Sequence, residues 1–162
     1  MEIPKAHGRS IVVATLIVAF FLRTLPLPGY AGLIAPEWVA VVVIYWVLAL
    51  PYRFGVGFAF LLGLFADAHE GTPLGLNAAC YALLAYLVML FYQRIRVYPP
   101  VQQAGTVLVM MVLFLSLKFA LRQLFSYPGD LFLSLLPALT SAVLWPWLYL
   151  ILRGLRIRYR VK

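Results

Sequence analysis

The sequence predicts an all-α membrane protein, a six-transmembrane-helix bundle forming a single integral membrane domain over 1–162. Three observations carry this: an extreme composition, six apolar runs, and charges confined to the ends of those runs. Of the 162 residues, 65% are hydrophobic and 11% are charged, and the mean hydropathy is +0.98. A soluble domain is ~45–50% apolar and ~25% charged, so lipid must solvate most of this chain. In lipid the backbone satisfies its polar groups internally, which makes long apolar runs helices. The net charge of +8 does not point to nucleic acid, because the basic residues cluster at the ends of apolar runs. The single cysteine, Cys80, excludes an internal disulfide and reads as a small buried side chain.

The first run, 11–27, is closed by Pro26, Pro28 and Gly29. Lys5, His7 and Arg9 before it look like the start of a signal peptide. No small-x-small cleavage site follows them, so an uncleaved first helix is expected. The second run, 36–50, opens on Pro36, which suits a first helical turn, and stops at Pro51. The third, 55–69, is the weakest. Its apolar part, 55–66, gives about 18 Å of helix against a hydrocarbon core of about 30 Å. It reads as either a protein-buried helix extended through Asp67 and His69 or a re-entrant segment. Gly55, Gly57, Gly63 and Gly75, with Ala59 and Ala66, point to close helix packing.

Gly71-Thr72-Pro73 separates the third run from the fourth, 74–93. Pro99-Pro100 opens the fifth, 101–125, and Pro128-Gly129-Asp130 turns into the sixth, 131–152. Within the sixth, Pro137 and Pro146 each remove a backbone donor and predict kinks. Trp145, Pro146 and Trp147, together with Tyr45 and Trp46 of the second run, form either an aromatic groove or an inner aromatic belt.

Orientation follows from the short loops. Ten of the thirteen basic residues lie in the two tails and the second-to-third and fourth-to-fifth connections: Lys5, Arg9, Arg53, Arg94, Arg96, Arg153, Arg156, Arg158, Arg160 and Lys162. The other connections, 28–35, 67–73 and 126–130, hold none. Basic loops stay inside, so both termini are expected in the cytoplasm. The tail Arg153, Arg156, Arg158, Arg160, Lys162 alternates basic and apolar residues from Leu155 onward. It reads as a topology anchor, with about 1 kcal/mol of attraction to an anionic leaflet per cation, or as a docking strand for a cytoplasmic partner.

Three cations remain, all inside apolar runs: Arg23, Lys118 and Arg122. An intramembrane ion is costly unless it pairs, lines water or snorkels. Lys118 and Arg122 share a helix face at i,i+4 spacing. The acids Glu37, Asp67, Glu70 and Asp130 fall on the same side of the membrane as these cations, leaving only Glu2 on the other. A charge cluster of Arg23, Asp67, Glu70, Lys118 and Arg122 is therefore expected to lock helices one, three and five, with Lys118–Asp67 as a direct pair. Snorkelling is the alternative for Arg23 and Arg122. Asp67 sits at a helix C-terminus, where the macrodipole disfavours a carboxylate. It needs either a cation or the free amides opening the fourth helix. Asp67, His69 and Glu70 lack a second cluster to complete a metal site. No nucleophile–base–acid set, phosphate loop or cofactor motif is present, so neither an enzyme nor a cofactor is expected.

The whole chain resembles the MreD family of rod shape-determining membrane proteins, in its gammaproteobacterial form. The resemblance rests on Pro36-Glu37-Trp38-Val39 leading to Tyr45-Trp46-Val47-Leu48-Ala49-Leu50-Pro51, and on Gly57-Phe58. It continues through Gly63-Leu64-Phe65-Ala66-Asp67, Thr72-Pro73-Leu74-Gly75, Ala85-Tyr86-Leu87 and Leu144-Trp145-Pro146-Trp147. The resemblance implies a non-enzymatic, multi-pass component of the bacterial inner membrane within the cell-elongation complex. Such a protein binds MreC directly, shares its complex with MreB, RodA and a penicillin-binding transpeptidase, and helps organise lateral peptidoglycan synthesis. It also implies an architecture similar to the substrate-binding subunits of energy-coupling-factor transporters. That likeness supplies the rival reading, a small-molecule or lipid-binding subunit. Lys118, Arg122 and the acidic Asp67–Glu70 loop depart from the family pattern, so the charge cluster is a property of this sequence. Partner binding predicts a groove matching one transmembrane helix; a transport subunit predicts a polar pocket.

Overall fold

The computed structural model describes residues 8–161; Glu2, Lys5, His7 and Lys162 lie outside that range. Six helices follow in order: α1 (Gly8–Thr24), α2 (Trp38–Ala49), α3 (Val56–Glu70), α4 (Leu76–Val97), α5 (Pro100–Leu124) and α6 (Leu131–Arg158). A single 3-10 turn, Gly29–Gly32, lies in the first connection, and the described residues contain no strand. α4, α5 and α6, at 22, 25 and 28 residues, are long and apolar enough to cross a membrane.

The short α2 is the axis of the fold. Every residue from Val39 to Ala49 is buried, against α1, α4 and α6. A helix apolar on all sides belongs inside a bundle rather than at its lipid face. Twelve residues span only about 18 Å, so both ends of α2 stop within the protein and their orphan groups need partners there. Arg96 of α4 supplies them at the C-terminus, donating from Nε to the Leu48 carbonyl at 2.8 Å and from a terminal nitrogen to the Ala49 carbonyl. At the N-terminus the Glu37 amide donates to Ser141 Oγ of α6 at 3.1 Å.

α3 and α4 form a tight antiparallel hairpin. The buried face of α3 is Ala59, Gly63, Ala66 and Asp67. A Cβ placed on Gly63 would lie 2.3 Å from Ala78 Cα, so the two backbones touch there. α3 is one uninterrupted helix of 15 residues. Gly71 closes it in the left-handed region at φ +67°. Gly75, at φ +105°, precedes α4. The described ends of the chain meet as well, since Val161 packs on Gly8.

Several expectations need correction. Only Gly63 among the four glycines meets the backbone of another helix. Gly55 approaches the flexible Met89 side chain, and nothing lies within 4 Å of a Cβ on Gly57 or Gly75. Gly75 serves the turn instead, through its positive φ. The sixth helix also runs on to Arg158, past the end of its apolar run at Leu152, because arginine and leucine are good helix formers and Gly154 alone does not stop a helix. Arg153, Arg156 and Arg158 are therefore helical, not part of a strand, and of the described tail cations only Arg160 lies beyond.

Candidate functional site

The C-termini of α1, α3 and α5 meet the N-termini of α2, α4 and α6 at one end of the bundle. This end holds Glu37, Asp67, Glu70 and Asp130, every acid among the described residues. Arg23, in the last turn of α1, bridges two of them. One terminal nitrogen lies 3.4 Å from Glu37 Oε2 and also donates to the Tyr81 hydroxyl at 3.0 Å; the other contacts Glu70 Oε1. Glu37 Oε1 then meets Lys118 Nζ of α5 at 3.5 Å. Beyond Glu70, Asn77 Nδ2 of α4 donates to Glu70 Oε2 at 3.1 Å and to Thr72 Oγ1 at 3.3 Å.

With the Glu37–Ser141 contact, one connected polar network touches all six helices. Its two cations and two carboxylates balance, and all four side chains are more than three-quarters buried. Burying such charges costs several kcal/mol each unless every one is paired, which explains why they occur together.

Asp67 is fully buried and belongs to the network by a different mechanism. Its Oδ1 accepts from Thr72 Oγ1 and the Asn77 amide, both at 2.8 Å. Its Oδ2 accepts from the amides of Gly75 at 2.9 Å and Ala78 at 3.3 Å. A carboxylate from the end of α3 thus caps the start of α4, where orphan amides and the positive helix end favour an anion. The expected Lys118–Asp67 pair is corrected: the amides of α4 saturate Asp67, and Lys118 reaches Glu37. Arg122 makes no ion pair among the described residues. It stacks over Tyr127 at 5.4 Å and lines a cavity of about 350 Å³ with Glu37, Lys118 and Asp130. Asp130 caps α6, accepting from the Phe132 amide at 2.7 Å.

Glu37 is the hub that sequence reasoning left out of the cluster. Its signal was present: an acid directly after Pro36 at a helix start faces the same side as Arg23 and Lys118. Gln103 was also missed. It is buried, donating to the carbonyls of Ile95 at 3.1 Å and Tyr98 at 3.0 Å and accepting from Trp145 Nε1 at 3.2 Å. Nothing in its local sequence marks it, because its partners come from the α4–α5 turn and from α6.

The aromatic residues divide. Tyr45, Trp46 and Trp145 are buried, with Tyr45 and Trp145 packed on Tyr149 at 5.7 and 6.0 Å between ring centres. Trp46 Nε1 donates to Thr15 Oγ1 of α1 at 2.9 Å. Trp147 is 61% exposed, so the expected Trp145–Trp147 groove is corrected: residues two apart on a helix point to different faces. A separate apolar groove of about 300 Å³ lies between α1 and α6, lined by Ala14, Thr15, Val18, Trp38, Ile151 and Leu155 among others. No group of three metal-ligating side chains occurs among the described residues.

The fold and this site define an all-helical membrane protein whose polar side chains hold helices together. The rod shape-determining protein MreD family model matches residues 6–155. The rod shape-determining protein MreD of Haemophilus influenzae is 30% identical over 155 residues, covering 93% of this chain and 92% of that protein. The chain belongs to the MreD family, a family of rod shape-determining proteins and not of enzymes. No solved structure matches it at a significant level.

Proposed function

We propose that this protein is a multi-pass inner-membrane scaffold of the cell-elongation complex that binds the transmembrane helix of MreC. In this reading the chain crosses the bilayer six times, the short α2 completing its crossing through the connections at its two ends inside the bundle, and the basic end faces the cytoplasm. MreB, RodA and a penicillin-binding transpeptidase belong to the same assembly, and the protein helps organise lateral peptidoglycan synthesis. Family membership supports the role in rod shape. The single observation that carries the mode of binding is the groove between α1 and α6. It is lined by the small residues Ala14 and Ala19, with exposed Val18 and Ile151 beside them. Helices associate in lipid by close packing over such small residues.

The test is co-purification with MreC in mild detergent. The native protein should retain MreC, and Ala14→Trp with Ile151→Trp should lose it at an unchanged melting temperature. The second reading is a small-molecule or lipid-binding subunit with the architecture of transporter substrate subunits. The cavity lined by Glu37, Lys118 and Arg122 favours it. Retention of a small molecule without MreC would establish that reading instead.

A further inference from the structure

At the basic end, the last turns of α2, α4 and α6 and the first turn of α5 enclose a cavity of about 590 Å³, within the ~300–1,000 Å³ of small-ligand sites. Three guanidinium groups, Arg96, Arg153 and Arg156, line it with three phenols, Tyr45, Tyr98 and Tyr149. Its lining contains no carboxylate, and the four described acids all sit at the opposite end. Tyr149, Arg153 and Arg156 follow each other at spacings of four and three, which puts them on one face of α6. Arg96 approaches from α4 and is held in place by the α2 carbonyls and by the Tyr92 ring, 5.3 Å away.

Neither Arg153 nor Arg156 makes an ion pair among the described residues. The carbonyl ends of α2, α4 and α6 offset only part of this positive charge. An anion with several oxygens would satisfy the rest, because the planar guanidinium fork matches phosphate in two-point contacts. The neighbouring surface of α6 is apolar and exposed at Leu150 and Ile157, as acyl chains require.

We propose that this cavity is a binding site for a phosphate group carried by an anionic phospholipid. Arg153 and Arg156 grip the phosphate, and Arg96 with the tyrosines forms the wall. The site is separate from the groove assigned to MreC and does not depend on that assignment.

Native mass spectrometry of the full chain in detergent, titrated with phosphatidylglycerol, phosphatidylcholine or inorganic phosphate, tests it. The native protein should prefer phosphatidylglycerol over phosphatidylcholine. Arg153→Gln with Arg156→Gln should weaken that binding by at least about 10-fold, as the loss of charge-assisted hydrogen bonds to the phosphate implies. Arg94→Gln with Arg158→Gln removes the same charge outside the cavity and should leave binding unchanged. If the first double variant does not fold, Arg156→Lys keeps the charge, loses the fork and should still bind severalfold more weakly. Equal binding of phosphatidylcholine, equal losses in both double variants, or wild-type binding by the cavity variants would overturn the proposal. Binding of inorganic phosphate without the lipid would overturn the phospholipid as its source.

Discussion

At the acidic end, Arg23, Glu37, Glu70 and Lys118 pass charge compensation from helix to helix in one chain. At the basic end, Arg96, Arg153 and Arg156 surround a void with no carboxylate in its lining. Each arrangement suits its place. A charge buried among apolar helices persists only when paired, and a paired charge reports which helices must stay together. A charge at the bilayer surface tolerates solvent and attracts what lies outside the molecule. The acidic end is thus satisfied within the bundle, whereas the basic end, on the proposal above, is left open to bind.

This contrast is broken most severely at Asp67. Asp67→Asn replaces one acceptor oxygen with a donor facing backbone amides and removes the charge that strengthens four hydrogen bonds. Charge-assisted bonds contribute about 1.5–3 kcal/mol each, so the variant should yield little folded protein in detergent. Recovery of a variant melting like the native protein would show that the α3–α4 cap is dispensable.

Lys118→Met comes next. It leaves Glu37 buried with half its compensation, a loss of about 3–5 kcal/mol, which unfolding in detergent would register. Arg153→Gln at the open end should leave the same unfolding curve in place.

The third comparison sharpens the packing side. Gly63→Ala drives a Cβ into the Ala78 backbone and should cost about 1–3 kcal/mol. Gly57→Ala, with nothing within 4 Å, should be neutral or stabilising by up to about 1 kcal/mol. Equal effects at the two glycines would remove the close α3–α4 approach from the account.

The class was legible in the chain because composition and hydropathy act locally, and the family through a resemblance carried by ordered motifs such as Gly63–Asp67 and Thr72–Gly75. Six apolar runs punctuated by Pro26, Pro51, Pro73, Pro99 and Pro128 mark six helices. What stayed hidden depends on which helix faces which. Lys118 had four acids available on its side of the membrane, and hydropathy does not rank them. The choice of Glu37 follows from the place of α2 at the centre of the bundle. Asp67 carried two possible partners, and the turn through Gly71 and Gly75 delivers the amides of α4 to it. Gln103 and Trp145 are 42 residues apart, beyond any local pattern. Arg153 and Arg156 read as a topology anchor or docking strand because hydropathy marks the end of an apolar run, not the end of a helix. Continued to Arg158, α6 carries both into a cavity with Arg96.

A double-mutant cycle between Lys118 and Glu70, using Lys118→Met and Glu70→Gln in reversible unfolding, tests the connected network most directly. Among the described residues the two side chains share no ion pair and are linked through Glu37 and Arg23. The network predicts a coupling energy of at least about 0.5 kcal/mol between them. Strict additivity of the two losses would mean that the acidic end is a set of independent pairs and not one lock across the six helices.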